Sequence, residues 1–154
     1  EYRRLSYERG DSVAALLYHE EKALYTLIEQ FRYSTHAKGP GWLQEVVAGS
    51  LEPGEDPKAG MIREIEEEAG IRVPDITHIG TYYTSPGGST ERVFLYYAPY
   101  TQAMVVNAGG GLEEEGEDIK VISLSKEELR QQVLSGAVQD CKTMIAFQWV
   151  LLQD

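Results

Sequence analysis

The chain has 154 residues, with 14 Lys and Arg against 25 Asp and Glu and a formal net charge of −11. That length holds one domain with a real core and not two comfortable ones. The acidic balance excludes a grip on the nucleic-acid backbone and docking to an anionic membrane, since both need a basic surface.

The predicted elements begin β-rich. Ser12–Tyr18 is mostly apolar and Ala23–Tyr33 alternates loosely in Leu, Tyr, Ile and Phe, so two strands joined by the polar turn His19–Lys22 are expected. Ser34–Gly41 reads as a loop and Trp42–Ala48 as a short strand, with a second loop over Gly49–Pro57. From Pro57 to Ala69 the period becomes helical. Met61, Ile62, Ile65 and Ala69 share one side, and Gly70 follows as the stop. Ile76–Thr84 and Thr90–Ala98 form a hairpin around Ser85–Ser89. Asn107–Glu117 is expected to be a mobile, acidic, Gly-rich loop, and Asp118–Leu124 a last strand. Ser125 with Glu128 is a capping box for a helix to about Leu134, and Asp140 caps a final helix through Leu152. Hairpins interspersed with helices predict an α/β (α+β) layered domain occupying 1–154.

No apolar run approaches the ~20 residues of a membrane span. One cysteine, Cys141, excludes an internal disulfide and points to a reducing compartment. Three scattered histidines without an HExxH pair argue against a zinc hydrolase. The chain opens on Glu1 with no signal-peptide pattern after it, so it is expected to be a trimmed, cytoplasmic protein.

Chemistry concentrates on the first long helix. With Glu64 as origin, Glu67 falls at about −60° and Glu68 at about +40°, so three carboxylates share a face. Like charges at these spacings weaken a helix, and a cation against that face reverses the effect. Oxygen donors favour a hard divalent ion, Mg²⁺ first and Mn²⁺ next. Arg63 precedes Glu67 by one turn and can hold it.

The frame around this helix is specific. Gly49, five residues, Glu55, seven residues, Arg63-Glu64-Ile65, one residue, Glu67-Glu68, one residue and Gly70-Ile71 fill nine positions over 23 residues. The segment 49–71 resembles the complete Nudix box (Gx5Ex7REUxEExGU). The resemblance implies an α/β/α sandwich with a mixed sheet, and hydrolysis of a nucleoside diphosphate linked to another moiety. It also implies metal ions that bridge phosphate oxygens and activate water. By position, Glu64 and Glu68 are implied as metal ligands, Glu67 as ligand to a further ion or bridging water, and Arg63 and Glu55 as supports for them.

Outside the box, Arg9 to Gln153 resembles the group of ADP-ribose and nucleoside-diphosphate-sugar pyrophosphatases. Leu27–Arg32 looks like that group's strand ending in an arginine, implying Arg32 as a diphosphate contact. Trp42-Leu43-Gln44-Glu45-Val46-Val47-Ala48-Gly49 resembles the W-x-x-E-x-x-A-G stretch before the box. It implies Ala48 as a backbone carbonyl ligand, and Trp42 and Glu45 as lining the substrate cleft. Pro86 stands fifteen residues past Ile71, within Ser85-Pro86-Gly87-Gly88. That placement resembles the proline marking ADP-ribose-type enzymes, so Ser85, Pro86 and Gly87 are expected to border the substrate. Gly111–Ile119 is similar to the late loop that supplies the general base, which falls on Glu115 in some members and on Glu117 in others.

Asn107–Gly111 and Gly136–Thr143 look more like the GDP-mannose-cleaving branch. The reading is therefore a Mg²⁺-dependent hydrolase of ADP-ribose or a related nucleotide sugar, with GDP-mannose as the alternative. A non-catalytic Nudix module that senses a nucleotide is the other class, but such modules carry a degraded box. The expected partner is a small nucleoside diphosphate derivative, with no nucleic acid and no membrane. A two-fold homodimer is also expected, with the N-terminal strands that relatives exchange across a dimer shortened in a chain beginning at Glu1.

Overall fold

The computed structural model describes residues 2–111 and 118–153. Its elements are β1 (Ser12–His19), β2 (Leu24–Phe31), α1 (Tyr33–His36), β3 (Trp42–Glu45), β4 (Val47–Ser50), α2 (Pro57–Ala69), β5 (Thr77–Tyr83), β6 (Arg92–Tyr100), β7 (Ile119–Ser125), α3 (Lys126–Ser135) and α4 (Cys141–Leu151). A 3₁₀ turn at Gln102–Met104 follows β6.

The strands form one mixed sheet. β1 and β6 are parallel over their whole lengths, and every other pairing is antiparallel. β5 lies outside β6, and β7 lies along β2. Side chains alternate between the two faces, and each face has its own core. On one, Val13, Ala15, Leu17 and Ile28 pack against Met61, Ile65 and Ala69 of α2. On the other, Ala14, Leu16, Leu27 and Leu95 pack against Leu129 of α3 and Ala146, Phe147 and Val150 of α4. Two helical layers around one mixed sheet make the α/β/α sandwich.

The helix boundaries follow their signals. Asp56 accepts from the backbone of Lys58 and Ala59 ahead of α2, and Gly70 ends that helix at φ 68°. The Ser125–Glu128 capping box is formed in both directions, and Asp140 caps α4. The hairpin β5–β6 is present, with a register shift between His78 and Gly80.

Two segments differ from expectation. Tyr33, expected at a strand end, starts the one-turn helix α1 inside the expected loop. Residues 42–48, expected as one strand, are two. β3 pairs with β2 through Ile28↔Glu45, β4 pairs with β1 through Ala15↔Val47, and Val46 is the handover between the ladders. The physical reason lies in β1 and β2, which stay paired only over Leu17–His19 and Leu24–Thr26 and then part. The segment 42–50 enters the gap and bonds to each in turn.

Phe147 is fully buried at the centre of the outer layer. Phe147→Ala is expected to cost about 3–5 kcal/mol, whereas the exposed Leu152→Ala stays within about 0.5 kcal/mol. Urea unfolding midpoints of the two variants check this.

Candidate active site

The handover at Val46 puts the functional residues on one floor. Just before it, Glu45 is 2% exposed and receives Arg32 Nε at 2.8 Å and Nη2 at 3.1 Å, a bidentate fork. Its Oε2 also accepts from Lys142 Nζ of α4 at 2.5 Å, and Lys142 donates to Asp140 Oδ1 at 2.9 Å. Burial alone would raise the Glu45 pKa, but the Arg32 bonds and the Lys142 charge outweigh it and hold the carboxyl below its ordinary range. Burial likewise opposes the charges on Arg32 and Lys142, but Glu45 foremost, with Asp140 beside both and Glu68 beside Arg32, more than offsets it, so both cations titrate above their usual values.

Just after the handover, β4 meets α2. Ala48 N–H donates to Glu68 Oε2 at 3.0 Å, and Glu68 is 1% exposed. Gly49 lies flat against Glu64, where an added Cβ would sit 1.9 Å from the Glu64 carboxyl carbon. Only glycine lets the strand approach this closely. Arg63 gathers the acids of the helix. Its Nη1 donates to Glu64 Oε1 at 2.8 Å and to Glu67 Oε2 at 2.9 Å, while Nε and Nη2 each reach Glu55 at 3.2 Å. The Glu55 bond foremost, then Glu64 and Glu67, raise the Arg63 pKa above its ordinary value.

These groups open onto a cleft of about 760 Å³, within the size range of small-molecule sites. Its lining includes Arg32, Glu45 and Lys142, Ala48, Gly49, Arg63 and Glu64, and Arg9 and Glu91. Glu67 faces a neighbouring depression, together with Arg63, Asn107, Gly109 and Gly111.

That depression is built from the glycine-rich stretch. Gly110 N–H donates to the Glu68 carbonyl at 2.9 Å, Gly111 N–H to the Glu67 carbonyl at 3.3 Å, and Val106 N–H to the Gly70 carbonyl at 2.8 Å. Gly110 and Gly111, within the stretch 107–117 expected to be a mobile loop, thus close C-terminal carbonyls of α2, which the helix itself leaves unpaired.

Arg32, Glu45, Ala48, Arg63 and Glu64 therefore come together in one cleft, with Glu67 and Glu68 adjoining it. Trp42 does not line it. Register puts Trp42 on the opposite face of β3 from Glu45, where it packs edge-on against Phe31 with ring centroids 5.7 Å apart. Ser85, Pro86 and Gly87 form the exposed β5–β6 turn, and only the preceding Thr84 reaches the cleft lining. Glu115 and Glu117 lie outside the described residues. Lys142, Arg9 and Glu91 were not singled out from sequence. The Asp140-x-Lys142-Thr143 spacing at a helix start was the available signal for Lys142, since an N-cap acid can draw in a lysine two residues on.

The donor set suits a hard cation. Glu64 and Glu67 already converge on one positive nitrogen, and every donor is an oxygen. Among the described residues, no three acidic, imidazole or thiol groups close a complete cage.

In this α/β/α sandwich, Arg63 and Glu64 of the carboxylate-bearing helix α2 border the same cleft as Arg32 and Lys142. The NUDIX domain family model matches residues 8–140, and the chain belongs to the Nudix family. It is 38% identical over 151 residues to the GDP-mannose pyrophosphatase of Enterobacter sp. (strain 638), covering 97% of this chain and 78% of that protein. It is 38% identical over 154 residues to that of Cronobacter sakazakii (strain ATCC BAA-894), covering 99% and 79%. To the GDP-mannose pyrophosphatase of Escherichia coli O1:K1 / APEC it is 34% identical over 151 residues, covering 97% and 78%. The chain is accordingly a hydrolase acting on a phosphorus anhydride. No helix among the described residues is long and apolar enough to cross a membrane.

Glu45→Gln leaves Arg32 and Lys142 without their shared anion. The variant is expected to lose about 3 kcal/mol, the low end for a broken buried pair because Arg32 is partly exposed. Since the Glu45 pKa is lowered from 4.5 on folding, its contribution is present above that value and is lost as pH falls through the folded pKa. Chemical denaturation at a series of acidic pH values is therefore expected to show a shallower acid limb in the variant.

Proposed function

We propose that this chain hydrolyses the diphosphate linkage of ADP-ribose or a related nucleotide sugar, giving a nucleoside monophosphate and a sugar phosphate. Mg²⁺ is the metal, with Mn²⁺ able to replace it. The observation that carries this reading is the shared cleft, which Arg32 and Lys142 line together with the Arg63–Glu64 pair. The names of the relatives make GDP-mannose the first substrate to test.

In this reading Arg32, with Nε and Nη2 engaged by Glu45, offers its remaining nitrogen to a phosphoryl oxygen, and Lys142 adds positive charge beside it. Glu64, Glu68 and the Ala48 carbonyl would hold metal and Glu67 a further ion or bridging water, and metal bound there would neutralise charge on the diphosphate and activate water. Arg63 and Glu55 keep Glu64 and Glu67 in place. Glu115 or Glu117 takes the proton from the attacking water. The described residues flanking the segment that carries them are Gly111, whose N–H donates to the Glu67 carbonyl, and Ile119, paired with Gln30 of β2. The enzyme works as a homodimer in the cytoplasm.

Incubation with Mg²⁺ and a panel of GDP-mannose, ADP-ribose, ADP-glucose and NADH, with products separated by anion exchange, tests the reading. Release of nucleoside monophosphate from a nucleotide sugar is expected, and silence across the panel refutes it. Glu64→Gln and Glu68→Gln are each expected to lower turnover at least about 10³-fold with the fold retained, because a lost ligand weakens charge stabilisation in the transition state.

For the base, one of Glu115→Gln and Glu117→Gln is expected to cost about 10²–10⁴-fold in kcat with little change in KM. The other is expected to be almost silent. Full kcat in both single variants and in the double variant, with chemistry rate-limiting, would place the base elsewhere.

A further inference from the structure

Val46 is fully buried and lies between two ladders, so its N–H has no strand partner on either side. A buried donor left unpaired is costly, and the partner it finds comes from α4. Thr143 Oγ1 accepts from Val46 N–H at 2.9 Å. The hydroxyl proton goes to Asp140 Oδ2 at 2.6 Å, and the same oxygen accepts the Thr143 N–H at 2.9 Å. Asp140 Oδ1 receives Lys142 Nζ, and Lys142 binds Glu45, the residue covalently joined to Val46. The chain of bonds therefore closes on itself. It runs from Val46 through Thr143, Asp140, Lys142 and Glu45 back to Val46, and Thr143 is the one member that holds the strand by its backbone. Thr143 is itself 1% exposed.

This ring sits on the strand segment that carries both anchors of the site. On its upstream side Glu45 holds Arg32 and Lys142, and two residues downstream Ala48 holds Glu68. We propose that Thr143 is a positioning residue. Its hydroxyl locks the first turn of α4 to the strand handover and so sets where Glu45, with Arg32 and Lys142, stands relative to the Ala48–Glu68 contact and the acids of α2. The inference deepens the reading of the site as a nucleotide-sugar diphosphatase and rests on it.

The test compares Thr143→Val, which keeps the shape and removes the hydroxyl, with Thr143→Ser, which keeps the hydroxyl. Two readouts are taken on the intact protein: kcat and KM for GDP-mannose with Mg²⁺, and amide exchange at Val46 by NMR without substrate. Thr143→Val is expected to lower kcat/KM by about 10–100-fold, the scale of an ångström-level misplacement of catalytic groups. It is also expected to speed Val46 exchange about tenfold or more through local opening. Thr143→Ser restores both. Should Thr143→Val fail to fold, Asp140→Asn serves in its place, because its single acceptor oxygen cannot hold both the Thr143 and Lys142 corners.

A folded Thr143→Val with kcat/KM within twofold of the parent overturns the proposal. So does unchanged Val46 exchange, or a loss of activity that serine does not restore. A parent protein inactive on every nucleotide sugar sinks the diphosphatase reading instead, and the exchange arm still decides whether the lock exists.

Discussion

β1 and β2 pair through only Leu17↔Thr26, Tyr18↔Tyr25 and His19↔Leu24 before they diverge, and the cleft depends on how that divergence is filled. A twisted sheet cannot leave a wedge of unpaired backbone in its interior. Segment 42–50 closes the wedge by bonding first to β2 and then to β1. Because the handover falls at Val46, Glu45 ends one ladder and Ala48 and Gly49 lie in the next. The acid that carries two cations and the backbone that meets α2 are thereby held within four residues of each other.

The cleft concentrates charge of both signs. In a protein of net charge −11, Arg9, Arg32, Arg63 and Lys142 line it together with Glu45, Glu52, Glu64, Glu91 and Asp140. Where each cation sits matters more for meeting a diphosphate than the total charge does. Two of these cations are fixed by a buried carboxylate and a third by three acids of the box. Each ion pair is thus also a means of aiming a long, flexible side chain. Glu45 is the strictest case, since an acid at 2% exposure persists as an anion only because two donors reach it.

Much of this was legible in the sequence, and the legible parts share a local cause. The α2 boundaries, the Ser125–Glu128 box and the Asp140 cap depend on residues a few positions apart, so spacing alone reveals them. The convergence of Glu64 and Glu67 on Arg63 is likewise a matter of helical period. What stayed hidden is long-range. The split of 42–50 is decided by two other strands, and the Lys142–Glu45 bond spans 97 positions. The face taken by Trp42 follows from the same register. The glycines at 109–111 looked like freedom in the sequence, and in the fold they permit close approach. A Cβ on Gly109 would sit 2.3 Å from the Glu68 carbonyl oxygen.

The same steric logic explains why the box needs glycine at both ends and arginine in its middle. Position α2 by its side chains alone, and three like charges would push it away from the strand it must face. It is held instead by backbone along its C-terminal half. Gly49 lies against the Glu64 carboxylate and Ala48 N–H binds the Glu68 carboxylate. Gly70 turns the chain at φ 68°, and Gly110 and Gly111 bond to the Glu68 and Glu67 carbonyls. Arg63 then cancels the repulsion within the helix by binding Glu55, Glu64 and Glu67. Glu64 and Glu67 thus share one cationic side chain, and a divalent ion can relieve that side chain without moving the backbone that presents them.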